Sequence, residues 1–170
     1  DKGLLSGIVA GSAVIDVAGV VGQVTRVYPL SSEVTLLTDR DQSIPVLNAR
    51  TGQRFIAFGD PLTLGGSLEL RFVPASADLQ PDDLLTTSGV DGIYPAGLHV
   101  GRVQLVDRRI DTAFAKVHAR PMARNRGRHM LVLPPVSDWP ERPPKLEPVT
   151  RSRKSASGPK AAASTAGGTP

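Results

Sequence analysis

Turn signals recur every 8 to 12 residues from Lys2 to Leu133, and no window between them places apolar side chains at i, i+3, i+4 and i+7. A chain punctuated so often has no room for long helices and must build its core from short strands. Residues 68–106 show the pattern most densely. Leu68, Leu70 and Phe72 alternate with Glu69 and Arg71, so a period of two sets three apolar side chains on one face and two charges on the other. Pro74 ends that strand. A second, 84–87, lies between the turn at 80–83 and the glycine-rich turn Ser88-Gly89-Val90-Asp91-Gly92, and a third, 100–106, is entered through Pro95-Ala96-Gly97.

The same reading predicts strands over 13–17, 20–28, 33–38, 44–48, 54–58, 114–119 and 130–133. Pro45 cannot donate a ladder hydrogen bond, which suits an edge or a strand start. Ten short strands make an all-β fold of two small barrel-like or sandwich subdomains. Their expected bounds are 1–72 and 73–133, with the last strand able to return to the first. Beyond Leu133 the composition changes, and eight of the fifteen prolines lie in residues 134–170 among Ala, Ser, Gly and Lys. Such a segment lacks the apolar mass to offset about 1–2 kcal/mol of backbone entropy per ordered residue, so a disordered tail is expected.

The pI near 9.8 invites a nucleic-acid reading, but the charge is not where such a reading needs it. Residues 1–133 hold 14 Lys and Arg against 13 Asp and Glu, whereas 134–170 hold 6 against 3. The body has no single-sign field, and no nucleic-acid partner is expected. Cysteine is absent, which removes disulfides and thiolate chemistry. No run of 18 apolar residues exists. The chain opens at Asp1 without methionine, so an anchor upstream is expected.

Candidate chemistry is thin. Ser88 before Gly89, with His99, His118 and His129, raises a protease-like hydrolase, active or degenerate, as the alternative function. Yet Ser88 lacks the glycine-aspartate lead-in of chymotrypsin-like enzymes, and all three histidines follow it. A peptidase assay with alanine at Ser88 separates the two readings. The histidines lie 18 and 10 residues apart, too far for a ligand motif, and Asp82-Asp83 sits in a turn, where aspartate bonds its own backbone. No phosphate-cradling glycine motif is present. No catalytic residue, cofactor or metal is therefore expected. Arg124-Asn125-Arg126-Gly127-Arg128-His129 reads as a solvated basic loop, since no aromatic residue interleaves it.

What remains is a contact surface. The loop 90–98 sets Val90, Ile93, Tyr94 and Leu98 among glycines and prolines, and loops held by a β scaffold tend to carry recognition. Ile93 and Tyr94 have a competing reading, as a cover folded back over a barrel end. Trp139 joins the candidates, either as a partner's anchor or as a side chain tucked onto its own domain.

Phe72-Val73-Pro74-Ala75-Ser76-Ala77-Asp78, Asp82-Asp83-Leu84-Leu85-Thr86-Thr87-Ser88-Gly89 and Ile93-Tyr94-Pro95-Ala96-Gly97 before Val100-Gly101-Arg102-Val103 resemble the extracytoplasmic domain of MreC, the bacterial rod-shape-determining protein. Gly19-Val20-Val21-Gly22-Gln23-Val24, Ser32-Glu33-Val34-Thr35-Leu36-Leu37-Thr38-Asp39 and Ala119-Arg120-Pro121-Met122-Ala123 agree in order and spacing. The resemblance covers nearly all of 1–133 and none of the tail. It departs at Asp82, where the family usually has glycine, and at Asn125 and Gly127. It implies two small barrels shaped like those of proteases but without catalytic groups. It also implies a non-catalytic periplasmic scaffold of cell-wall elongation, held to the inner membrane by a helix and coiled coil upstream of this chain. The partners it implies are further copies of itself in a dimer or filament, a class B penicillin-binding transpeptidase, its RodA-type glycosyltransferase companion, MreD and the actin-like MreB.

Overall fold

The computed structural model describes residues 2–108, 112–123 and 129–135, all within one compact unit, Asp1–Pro140. Ten strands follow one another: β1 (Ala13–Ile15), β2 (Val20–Val27), β3 (Ser32–Leu36), β4 (Ser43–Asn48), β5 (Arg54–Asp60), β6 (Ser67–Pro74), β7 (Leu84–Thr87), β8 (His99–Asp107), β9 (Phe114–Pro121) and β10 (Leu131–Leu133). The only helical pieces among the described residues are two single turns, Leu4–Ser6 and Thr63–Gly65. The all-β reading holds, and the strand starts fall within two residues of those that alternation predicts.

The strands form a closed barrel in the order β4-β5-β6-β9-β8-β7 and an open four-stranded sheet in the order β10-β1-β2-β3. The sheet changes between β3 and β4, not at the 72/73 junction suggested by the sequence. Phe72 lies in a strand paired on both sides, with β5 and with β9. Spacing along the chain locates strands but does not say where a sheet closes. The last strand pairs with β1, Ala13 opposite Leu133 and Ile15 opposite Leu131. Pro45 is not on an edge, because β4 pairs with β5 and β7. Its ladder to β7 starts only at Val46, so the missing N–H leaves no gap.

Alternation explains the barrel core. Ile44, Val46, Ala57, Leu68, Leu70, Leu85, Val100, Val103, Val117 and Ala119 point inward from six strands, each about 1 % exposed or less. Ala13 and Val20 of the sheet belong to the same cluster, with Ile15 and Leu133 packed against it. The opposite face of the sheet buries Val14, Val21 and Val24 beneath Ile8. Close approach of the two layers needs glycine. A Cβ at Gly19 would overlap the His99 carbonyl of the barrel, and one at Gly59 would overlap the Asp39 carbonyl on the link between layers.

A polar clip closes the far side of the barrel. Asp83, 7 % exposed, accepts hydrogen bonds from Arg50 Nε at 2.7 Å, Arg50 Nη2 at 2.9 Å, Asn48 Nδ2 at 2.8 Å and the Gln80 amide at 3.0 Å. Arg50 also grips Asp78, at 2.7 and 3.0 Å, so one guanidinium ties the β4–β5 turn to the middle and the end of the loop before β7. Arg50 holds Asp83 down to about 2, helped by the Gln80 amide and Asn48 and opposed by burial. Asp82 beside it adopts a left-handed φ of 70°, a conformation that aspartate enters at modest cost.

Replacing Asp83 with asparagine leaves Arg50 and the Gln80 amide facing a poorer acceptor and should cost about 2–3 kcal/mol in urea unfolding. Because the folded-state pKa lies below the unfolded one, this stabilisation is full above the ordinary carboxylate value of 3.8 and fades as pH falls toward about 2. The gap between wild type and variant should therefore narrow over that window. A gap constant from pH 6 to pH 2 would refute the assignment.

Candidate functional site

The alternation that builds β6 breaks at one place. Leu70 pairs with Val117 and Val73 with Ala115, so three steps along β6 oppose two along β9, and the extra residue is a bulge. Leu68 and Leu70 point into the core as alternation predicts. The third inward position is taken by Val73, and Phe72 is turned out to solvent, 71 % exposed. The turn is made at φ 59°, in the left-handed region that an aromatic residue enters at a cost of about 1–2 kcal/mol.

Phe72 meets Phe114 of β9, itself 53 % exposed, edge to face, with ring centroids 6.2 Å apart and planes at 88°. The neighbouring strand β5 contributes exposed Ile56, which pairs with Arg71. Phe72 and Ile56 line a surface groove of about 530 Å³ together with Gln53, Arg54, Phe55, Arg71, Pro74, Ser76 and Ala77. The Arg71 guanidinium lies 4.5 Å over the Phe58 ring and donates through Nε to Glu69 at 3.0 Å. The Arg54 side chain makes no ion pair or hydrogen bond among the described residues. An exposed apolar patch edged by guanidinium groups is what a protein-contact surface offers. Two of the four phenylalanines in the chain, Phe72 and Phe114, are more than half exposed there.

The predicted contact loop lies elsewhere and is mostly folded in. Asp91 Oδ1 accepts the Ile93 and Tyr94 amides, each at 3.2 Å, and Thr87 Oγ1 accepts the Leu98 amide at 2.9 Å, so the loop curls back on the barrel mouth. Tyr94 is 1 % exposed, within the cluster that joins barrel and sheet. Burial pushes its hydroxyl up to about 12, and Gln42, which donates to it at 3.4 Å and to Gln23 at 3.2 Å, opposes that rise. Tyr94 as a contact residue is thus corrected to a core residue, since an aromatic-poor chain needs its ring to fill the junction. Ile93 and Leu98 are half-buried against the same core, and Val90 remains exposed at 61 %. Trp139, the 124–128 cluster and the tail from 136 lie outside the described residues.

The Ser88 hydroxyl donates to the Pro45 carbonyl at 3.2 Å, an engagement that gives the hydrolase reading no support. Ser67 Oγ and His118 Nδ1 are buried without hydrogen-bond partners in adjacent strands. Among the described residues no group of three or more His, Asp or Glu could hold a metal ion, and no helix is long and apolar enough to cross a membrane.

Residues 1–134 match the family model described as rod shape-determining protein MreC, barrel core. The chain is 38% identical over 134 residues to the cell shape-determining protein MreC of Escherichia coli K12, a match covering 78% of this chain and 36% of that protein. It is 42% identical over 141 residues to the MreC of Haemophilus influenzae, covering 82% and 38%. The chain thus spans little more than a third of these curated relatives. The crystal structure of MreC from Pseudomonas aeruginosa superimposes with a TM-score of 0.73 at 42% identity, covering 78% of this chain and 85% of that one. A more distant structure, a complex between penicillin-binding protein PBP2 and MreC from Helicobacter pylori, has a TM-score of 0.58 at 18% identity and shares the fold.

The two aromatic positions should respond oppositely to truncation. Tyr94→Ala should cost about 3–5 kcal/mol, as expected for emptying a filled core site. Phe72→Gly relieves a left-handed aromatic and should leave stability unchanged or raise it by up to about 1 kcal/mol, whereas Lys116→Gly at an ordinary exposed strand position should cost about 0.5–1 kcal/mol. Urea melts of the three variants check the order; a Phe72→Gly protein less stable than the Lys116→Gly protein would contradict the geometry.

Proposed function

The chain belongs to the MreC family of rod shape-determining proteins, and from that premise we propose that it is the partner-binding barrel of a non-catalytic scaffold in the periplasm. The supporting observation is the barrel wall itself. Its strained, solvent-facing Phe72 beside Phe114 is costly for folding and useful for contact. On this reading the scaffold organises the cell-wall elongation machinery to maintain rod shape. An N-terminal segment outside this chain anchors it to the inner membrane, where MreD, MreB and the RodA-type glycosyltransferase meet the assembly.

The direct partner of the barrel is a penicillin-binding transpeptidase. The distant Helicobacter pylori relative was solved in complex with one, and the shared fold motivates the assignment here. The mechanism is a population shift: the barrel binds an open arrangement of the transpeptidase better than a closed one and raises its share by that difference in affinity. Self-association into dimers or filaments uses the open sheet, whose outer strands β10 and β3 leave main-chain groups unpaired, while the closed barrel has no edge to offer.

Biolayer interferometry between this chain and the ectodomain of the class B transpeptidase from the same organism should give saturable binding at micromolar concentration or tighter. Transpeptidase turnover should rise as the chain is added. An ectodomain that neither binds at 100-fold higher concentration nor changes its turnover would sink this reading.

A further inference from the structure

The groove beside Phe72 restricts the chemistry of what it can hold. Its strands β5 and β6 are each paired on both sides within a closed barrel, so no incoming strand can extend the ladder there. Recognition must come from side chains. Phe72 and Ile56 line the groove, with Phe114 packed edge to face against Phe72, and a large side chain seated there would lose water on several sides, as interface anchors do.

Charge sets the rest. Two guanidinium groups, Arg54 and Arg71, line the groove, and no carboxylate does. Arg71 meets Glu69 through its Nε, and the Arg54 side chain is without a partner among the described residues. A second copy docked here across a two-fold axis would set Arg54 against its own counterpart, with Glu69 already engaged by Arg71, and like-charge repulsion opposes that arrangement. We propose that this groove binds a partner-protein segment in which a large apolar anchor is flanked by carboxylates, the anchor against Phe72 and Phe114 and the acids on Arg54 and Arg71. The proposal rests on the partner-binding reading above and names the partner's chemistry.

The test uses three 12-residue peptides: a central Trp-Leu pair flanked by glutamates, the same peptide with lysines for the glutamates, and the glutamate peptide with serines for Trp-Leu. Binding to the isotope-labelled 170-residue chain is followed by NMR. The glutamate peptide should shift signals of Ile56, Phe72 and Ala77, and the other two should bind at least about tenfold more weakly. Phe72→Gly, chosen because it keeps the backbone turn, should weaken the glutamate peptide by a similar factor, and Arg54→Glu should reverse the preference between glutamate and lysine. Equal binding of the two charged peptides, shifts confined to other surfaces, or no binding would overturn the proposal. So would self-association that Phe72→Gly abolishes, which would make a second copy the occupant. The same variants are then tried on the transpeptidase ectodomain. If wild type, Phe72→Gly and Arg54→Glu all bind it equally, the groove proposal fails and the scaffold reading stands; if wild type does not bind it, the scaffold reading fails instead.

Discussion

One apolar core runs without interruption from the barrel into the open sheet, and the rest of the architecture answers to that continuity. Ala13 and Val20 sit in the same buried cluster as Leu68, Leu70 and Val117, so neither layer closes its core without the other. Gly19 and Gly59 follow from the same requirement, since a methyl group at either would push the backbones apart. Tyr94 follows too. With only seven aromatic residues in the chain, its ring is the largest fully buried side chain among the described residues, and its hydroxyl reaches the polar rim through Gln42.

Much of this is legible in the sequence, because the signals are local. A period of two fixes which side chains of β4, β5 and β9 face inward, and Gly, Pro and Asp fix where the strands stop. The closure of the barrel depends on which strands meet across long separations, such as β4 with β7, and no local pattern records that. The bulge in β6 is hidden for a sharper reason. Leu68, Leu70 and Phe72 alternate as a regular strand would, and the extra residue is revealed only by the partner strand, where two steps answer three. The candidate surface was missed because its key residue carries the signature of a core position.

Phe72 and Tyr94 exchange the roles that sequence assigns them, and the exchange has an energetic logic. A tyrosine in a loop looks like a contact residue, but here an asparagine-like turn made by Asp91 folds the loop down and the core gains its ring. A phenylalanine in alternation looks like core, but the bulge gives that place to Val73, a smaller side chain in a barrel already filled by leucine and valine. The cost is local strain at Phe72, of the kind that persists where the surrounding ladder over-determines the backbone.

Closure of the barrel also divides the molecule's surface by chemistry. Six strands paired on both sides present only side chains, so whatever distinguishes one partner from another there must be read through ring faces, methyl groups and guanidinium groups. The four-stranded sheet keeps two outer strands, and there main-chain donors and acceptors remain for pairing that is nearly indifferent to sequence. Main-chain pairing suits copies of one chain, because identical edges are self-complementary in the antiparallel sense. Side-chain recognition suits a different protein, because selectivity needs groups that repel the wrong partner as well as groups that hold the right one. On the proposed reading, Arg54 is a group of that kind: it favours an acid, and the groove offers a second copy no carboxylate to meet it.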